Sequence, residues 1–174
     1  KTGATVHAPC VNKSEYYTHI TGNDVYTGFI HIKSFQEEVV QQLLEERNKN
    51  GLFLHLQDFI ERTNITKEQL NMLVSIGAFR FTGKKKKQLL WEANFLQKKN
   101  MTHVPAASSL FADAPFNFQL PAFVDYPLDD LYDELESLDF TLGNPFDLVN
   151  DDPNKYHLAK DLPANLNKIV TTLI

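Results

Sequence analysis

The predicted fold is decided by one turn, Val74-Ser75-Ile76-Gly77-Ala78-Phe79-Arg80-Phe81-Thr82-Gly83-Lys84-Lys85-Lys86-Lys87. Apolar residues recur at helical spacing on both sides of this stretch, so it joins two predicted helices. Gly77 ends the first helix and Thr82 caps the second, which gives a helix-hairpin-helix arrangement. Such a hairpin can turn backbone N–H groups outward beside a helix N-terminus, and both features suit a phosphate group.

Four consecutive lysines, Lys84–Lys87, stand at the start of the second helix. A helix N-terminus carries partial positive charge and favours Asp or Glu, so lysines there repel the helix dipole and each other. Two explanations stay open: the lysines form a solvated face, or they hold an anion. A nucleotide-binding P-loop is excluded, because five residues separate Gly77 from Gly83 where four are required, and Lys85 replaces the needed Ser or Thr.

The residues before the turn predict further helices and a small β-hairpin. Two β-rich runs, 16–20 and 25–32, are joined by a turn over residues 21–24. The helix signals are a Ser34–Glu37 capping box, Gly51 as an αL cap, an apolar pattern over 56–62 and a Thr66–Gln69 capping box. The helix capped by Thr82 is predicted to run to about Lys99.

Charge divides the chain near residue 100. Residues 1–100 contain 14 Lys and Arg against 10 Asp and Glu, whereas residues 101–174 contain 3 against 12. Seven of the eight prolines lie in the second part. The predicted fold class is therefore mostly α: an N-terminal segment with a small β-hairpin over 1–34, a helix-hairpin-helix bundle over 35–100, and an irregular acidic connector with a short helix over 101–174.

The remaining composition limits the class of protein. One cysteine, Cys10, allows no internal disulfide and fits a reducing compartment, and no apolar run approaches the roughly 18 residues of a membrane span. A cytoplasmic protein without membrane contact is expected. Because the sequence starts with Lys1 and ends in a strand-like run at Ile174, it is expected to be a piece of a longer protein that continues into a further domain.

The acidic part contains a group of carboxylates that invites a catalytic or metal-binding interpretation: Asp129, Asp130, Asp133 and Glu134. Leucines recur through the same stretch at helical spacing, so the acids are expected to begin a helix and to lie on its solvated face. The histidines are scattered, so no metal site is expected. No catalytic residue is predicted, and the chain itself is expected to be non-catalytic.

Several ordered motifs together resemble the C-terminal part of the alpha subunit of bacterial replicative DNA polymerase III. They are Tyr26-Thr27-Gly28-Phe29-Ile30-His31-Ile32-Lys33, Glu46-Arg47, the segment 51–62, Leu73-Val74-Ser75-Ile76-Gly77-Ala78-Phe79 and the segment 133–146. One departure stands out, since Ser34-Phe35-Gln36 replaces the Gly-Val-Gly of the family's first hairpin. A left-handed backbone is sterically unfavourable for those residues.

This resemblance implies DNA binding during replication. Duplex DNA backbone would be held without sequence specificity by Lys33, Ser34, Gly77, Gly83, Lys84, Lys85, Lys86 and Lys87. Other replisome subunits are expected partners. The parent polymerase, a nucleotidyltransferase, is expected to use magnesium, whereas no cofactor is expected in this fragment. The family's short clamp-binding peptide resembles Ser109-Leu110-Phe111, which would contact the sliding clamp or pack against the chain itself.

Two alternatives stay open at this point. The first is a protein-interaction module, with its acidic half as a docking surface and its lysines merely solvated. The second is an error-prone paralogue of the same polymerase. The positions of the basic side chains separate DNA binding from the first alternative, because DNA binding requires them to share a face with Gly77.

Overall fold

A computed structural model describes residues 3–101, 124, 126, 128–149, 155–157 and 159–171. The chain forms two compact units, Lys1–Leu142 and Gly143–Ile174. The strands are β1 (Thr5–His7), β2 (His19–Thr21) and β3 (Asp24–Tyr26), and the helices are α1 (Glu37–Asn50), α2 (Leu56–Arg62), α3 (Lys67–Ser75), α4 (Lys86–Met101) and α5 (Asp129–Leu138). The second unit contains 3₁₀ segments at Pro145–Leu148 and Ala159–Asn165. A mostly α fold with a small sheet is confirmed.

The sheet has the order β1-β3-β2. β2 and β3 form the predicted antiparallel hairpin, in which Ile20 opposes Val25 and Gly22 takes a positive φ of 63° in the turn. The strands are shorter than predicted, because residues Phe29–His31 form a 3₁₀ turn. β1 pairs with β3 in parallel, a contact that the hairpin pattern did not indicate.

The core lies between the helices of the first unit. Its largest fully buried side chains are Phe29, Phe53, Phe59, Phe79, Leu56, Leu70, Leu73 and Ile76. Phe59 stands edge-on to both Phe53 and Phe79, with ring centroids 4.8 and 5.0 Å apart. This aromatic chain fastens α2 to the α3–α4 turn, so the position of Gly77 is set by the core.

Helix α1 begins differently from the predicted capping box. Gln36 is its N-cap and makes no side-chain capping bond, and Ser34 lies outside the helix with φ +56°. The Ser34–Glu37 box was therefore wrong, since Ser34 bends the chain ahead of the helix. The predicted C-terminus is confirmed: Gly51 has φ +84°, and its N–H donates to the Arg47 carbonyl.

The motif of residues 51–62 is explained by structural contacts. Arg62 donates to the Glu46 carboxylate at 2.9 Å, to the Gly51 carbonyl at 2.8 Å and to Asp58 at 3.2 Å. Its guanidinium also lies 4.4 Å from the centroid of the Phe53 ring. The hydrogen bond from Arg62 lowers the pKa of Glu46. Arg62 thus ties the end of α1 to α2.

Candidate nucleic-acid interface

The turn at Gly77 has the backbone geometry that the sequence predicted. Thr66 and Gln69 form a reciprocal capping box at the start of α3, and Gly77 follows the helix with φ +77°. The Gly77 N–H donates to the Val74 carbonyl and the Ala78 N–H to that of Leu73, which is the paired bonding of a Schellman motif. Because both amides donate hydrogen bonds within the turn, the groups on this face that remain to bind a phosphate are side chains and the N-terminus of α4.

The lysine run straddles the start of α4. A 3₁₀ turn at Arg80–Thr82 follows Gly77, and Gly83 has a left-handed φ of +70°. The helix begins at Lys86, so Lys84 and Lys85 precede it and Lys86 and Lys87 lie in its first turn. The Lys85 N–H donates to the Gln88 side chain at 3.1 Å. Thr82 therefore does not cap α4; its hydroxyl accepts from the Lys84 N–H within the turn.

Arg80 and the lysines Lys84–Lys87 share a face with Gly77, whereas Lys33 is not among the residues that line it. A cleft of about 750 Å³ is lined by Gly77, Arg80, the four lysines Lys84–Lys87 and residues of α5. Arg80 was not among the predicted site residues, although its guanidinium covers Gly77 so closely that an added Cβ would stand 2.5 Å from its Cζ. Its place directly after the turn was the signal in the sequence that could have identified it.

Acidic residues of α5 occupy this cleft. Lys86 Nζ lies 2.6 Å from both Asp130 and Asp133, and Lys87 Nζ lies 2.8 Å from Asp129. Arg80 approaches Asp130 at 3.7 Å and Glu134 at 3.8 Å. As expected, the acids begin a helix and the Asp130 side chain is 59% exposed, but the face is not wholly solvated, because the lysines hold these acids and Glu134 is buried.

These ion pairs favour the charged form of the acids. The hydrogen bond from Lys87 lowers the pKa of Asp129, and the hydrogen bond from Lys86 lowers the pKa of Asp130. A carboxyl whose pKa is lower in the folded state stabilises that state above its ordinary pKa, and the effect is lost as the pH falls through the lowered value. At neutral pH, the contact between α5 and the lysines is therefore a contact between full charges.

Three further groups contact these lysines: a carboxylate, a backbone carbonyl and an aromatic ring. Lys84 Nζ lies 2.7 Å from the carboxylate of Glu92, a residue of α4. Lys87 also donates to the Val124 carbonyl and lies 5.1 Å from the centroid of the Tyr126 ring. Because Lys84 precedes α4, helical spacing alone did not predict the Lys84–Glu92 pair.

The other end of α5 meets the predicted first hairpin. The Lys33 ammonium lies 2.6 Å from Asp139, and the Lys33 N–H donates to the Ser137 carbonyl at 2.9 Å. Ser34 is left-handed, with φ +56°, although no glycine stands there. A left-handed backbone is thus present at Ser34 without a glycine, whereas Gln36 is extended with φ −67°. The α5 segment contacts both Lys33, through Asp139, and Lys87, through Asp129.

Two groups of predictions fall outside this geometry. The clamp-binding residues Ser109, Leu110 and Phe111 lie outside the described residues, so this contact stays a prediction. Among the residues that the structure describes, no three His, Cys, Asp or Glu side chains converge as they would around a metal ion. No helix in the described ranges has the length and apolar character of a membrane span.

A family model described as the helix-hairpin-helix motif matches residues 3–89, half of the 174-residue chain. The match ends within α4, and it includes the Gly77 turn, the lysine run and the first hairpin at Lys33.

Individual relatives are DNA polymerases of two kinds. The DNA polymerase III subunit alpha of Aquifex aeolicus (strain VF5) is 35% identical over 150 residues, which cover 83% of this chain and 12% of that protein. The error-prone DNA polymerase of Mycolicibacterium paratuberculosis is 28% identical over 109 residues, 62% of this chain and 10% of the relative. That of Mycobacterium tuberculosis (strain ATCC 25618 / H37Rv) is 30% identical over 111 residues, with the same two coverages. The chain thus spans about a tenth of the length of these relatives, and the predicted resemblance is confirmed.

Proposed function

The chain belongs to the helix-hairpin-helix motif family, and from this premise we propose that it holds the backbone of duplex DNA without sequence specificity. The observation that carries the proposal is the convergence of Arg80 and four lysines on one cleft beside Gly77. Ammonium and guanidinium groups bind phosphate oxygens of any sequence, because the backbone presents no base edges. The N-terminus of the 16-residue helix α4 adds its dipole to the same face.

The wider role follows from the relatives. In a polymerase III alpha-like protein, this segment would hold the duplex during DNA replication, and the whole protein would catalyse nucleotide transfer with magnesium. The sliding clamp, contacted through Leu110 and Phe111, and other replisome subunits are its proposed partners. Relatives of both names match this chain, so a replicative and an error-prone parent are both retained.

The first prediction concerns the lysines. Replacing Lys84, Lys85, Lys86 and Lys87 by Gln should weaken duplex binding at least tenfold, by the same factor for every duplex sequence. Non-specific affinities lie at about 10⁻⁴–10⁻⁶ M at physiological salt, and each neutralised phosphate contributes roughly 0.9 to the slope of log K against log salt. Loss of two or three contacts should therefore flatten the slope by about 2–3. Fluorescence anisotropy of a labelled duplex, titrated at several salt concentrations, measures both quantities.

A matched control removes the same charge elsewhere. Lys49, Lys67, Lys160 and Lys168 are exposed and do not line the cleft. Their replacement by Gln changes the net charge equally but should leave the salt slope nearly unchanged, because none of these lysines is among the groups proposed to hold phosphate. Equal slopes for the two quadruple variants would show that the lysine run is an ordinary solvated face.

A further inference from the structure

We infer that α5 is an autoinhibitory element, which occupies the phosphate-binding face in the free chain and leaves it when duplex DNA binds. This inference rests on the proposed function and assigns a regulation to that same site. The groups proposed to bind phosphate are the ones that α5 already holds: Lys86 by Asp130 and Asp133, Lys87 by Asp129, and Lys33 by Asp139.

The contacts of α5 are those of a polyanion on a basic surface. Its carboxylates reach the N-terminal side of α4 at one end and the Lys33 hairpin at the other. Lys86 shows how complete the occupation is, because its side chain is 17% exposed and its ammonium contacts two carboxylates. A phosphate oxygen and an aspartate oxygen need the same N–H donors, so the two occupants exclude each other.

The mode of docking makes α5 releasable. Leu138 joins the core of the first unit, but Leu135 remains 43% exposed and the deeply placed residue of the middle turn is Glu134. Besides the buried Leu138 and the hydrogen bond from the Lys33 N–H to the Ser137 carbonyl, the helix is held by ion pairs, and a pair at an exposed site shifts an equilibrium by a factor of only about 1.4 to 5. Covalent attachment through residues 102–128 keeps α5 at high effective concentration, so weak pairs are enough to compete with DNA.

Neutralising α5 tests the inference in the full chain. The changes Asp129→Asn, Asp130→Asn and Asp133→Asn should tighten duplex binding about tenfold, because the binding-competent fraction rises when the ion pairs are lost. The slope of log K against log salt should also become steeper. In the wild type a lysine exchanges a carboxylate for a phosphate, whereas in the variant no carboxylate is freed and the net release of counterions is larger. The control replaces three exposed glutamates, Glu45, Glu68 and Glu136, by Gln and should change the affinity less than threefold.

A double-mutant cycle separates direct contact from net charge. In a chain with Lys86→Gln and Lys87→Gln, the three Asp→Asn changes should tighten binding no more than the glutamate control does. The same tenfold gain in both backgrounds would overturn autoinhibition, because it would show that the acids act only through long-range repulsion.

Hydrogen exchange gives a readout that does not depend on affinity. Amides of residues 131–138 should lose protection when the wild-type chain is saturated with duplex, whereas those of α3 should not. Protection of α5 that is unchanged at saturation would overturn the inference and leave the proposed function standing. Failure of both the wild-type and the triple Asn chain to bind duplex would overturn both.

Discussion

Replacing Arg47 by Met should lower the free energy of unfolding by about 3 kcal/mol. Arg47 is 7% exposed and donates to the carbonyls of Val11 and Ser14 and, at 2.6 Å, to the Glu15 carboxylate. Methionine fills a similar volume but leaves these buried carbonyls without a donor. Removing one partner from a buried network costs about 3–5 kcal/mol, and the partial exposure of Glu15 argues for the lower end.

Urea denaturation measures this loss. With a slope of about 2 kcal/mol per molar urea, the midpoint should fall by about 1.5 M. Trp91 is the only tryptophan of the chain and lies on α4, so its fluorescence and far-UV circular dichroism provide two probes of the unfolding. As a control, Lys49→Met changes an exposed residue of α1, the helix that contains Arg47, and its free energy of unfolding should stay within about 0.5 kcal/mol of the wild type. A loss below 1 kcal/mol for Arg47→Met would contradict the account of this network.

Replacing Gly77 by Val should destabilise the chain by about 2–3 kcal/mol and weaken duplex binding as well. Gly77 has φ +77°, a conformation that costs an L-residue about 1–2 kcal/mol and a β-branched residue more. The new Cβ would also stand 2.5 Å from the Arg80 Cζ and displace a guanidinium from the binding face. Urea denaturation and duplex anisotropy report the two effects separately.

Two variants separate strain from crowding. Gly83→Val introduces the same strain at φ +70° where nothing lies within 4 Å of the added Cβ, so it should cost less than Gly77→Val. Gly77→Asn should keep most of the stability, because Asn tolerates the left-handed region, yet it should still displace Arg80 and weaken DNA binding. Full stability in Gly77→Val would contradict the described turn.

The parts of the fold that sequence reasoning predicted correctly are set by local physics. The Thr66–Gln69 capping box, the helix over 56–62 and the positive φ at Gly51 and Gly77 each depend on residues within one turn. The sequence indicated the motif of residues 51–62 but not its structural role. Arg62 donates hydrogen bonds to the carbonyls of Leu52 and Gly51, which lie ten and eleven residues away.

What could not be predicted depends on contacts between distant segments. β1 pairs with β3 across sixteen intervening residues, and three-residue strands give no periodicity to recognise. Ser34 accepts a left-handed φ because its neighbour Lys33 is fastened to Ser137 and Asp139, far along the chain. The α5 carboxylates form ion pairs with the lysines of α4, whereas the leucine spacing alone predicted that they contact solvent.

The central claim, that the face beside Gly77 holds duplex DNA, is tested most directly by following the glycines. The chain contains seven, and labelling glycine alone with ¹⁵N gives one amide signal for each. Gly77 lines the basic cleft and Gly83 directly precedes the lysines that line it, whereas Gly22, in the β2–β3 turn, and Gly51, at the end of α1, do not line it. On titration with a duplex of arbitrary sequence, the signals of Gly77 and Gly83 should shift to saturation and return as salt is added, while those of Gly22 and Gly51 stay in place. Saturating shifts at Gly22 or Gly51 with Gly77 and Gly83 unmoved would place the duplex elsewhere and contradict the account.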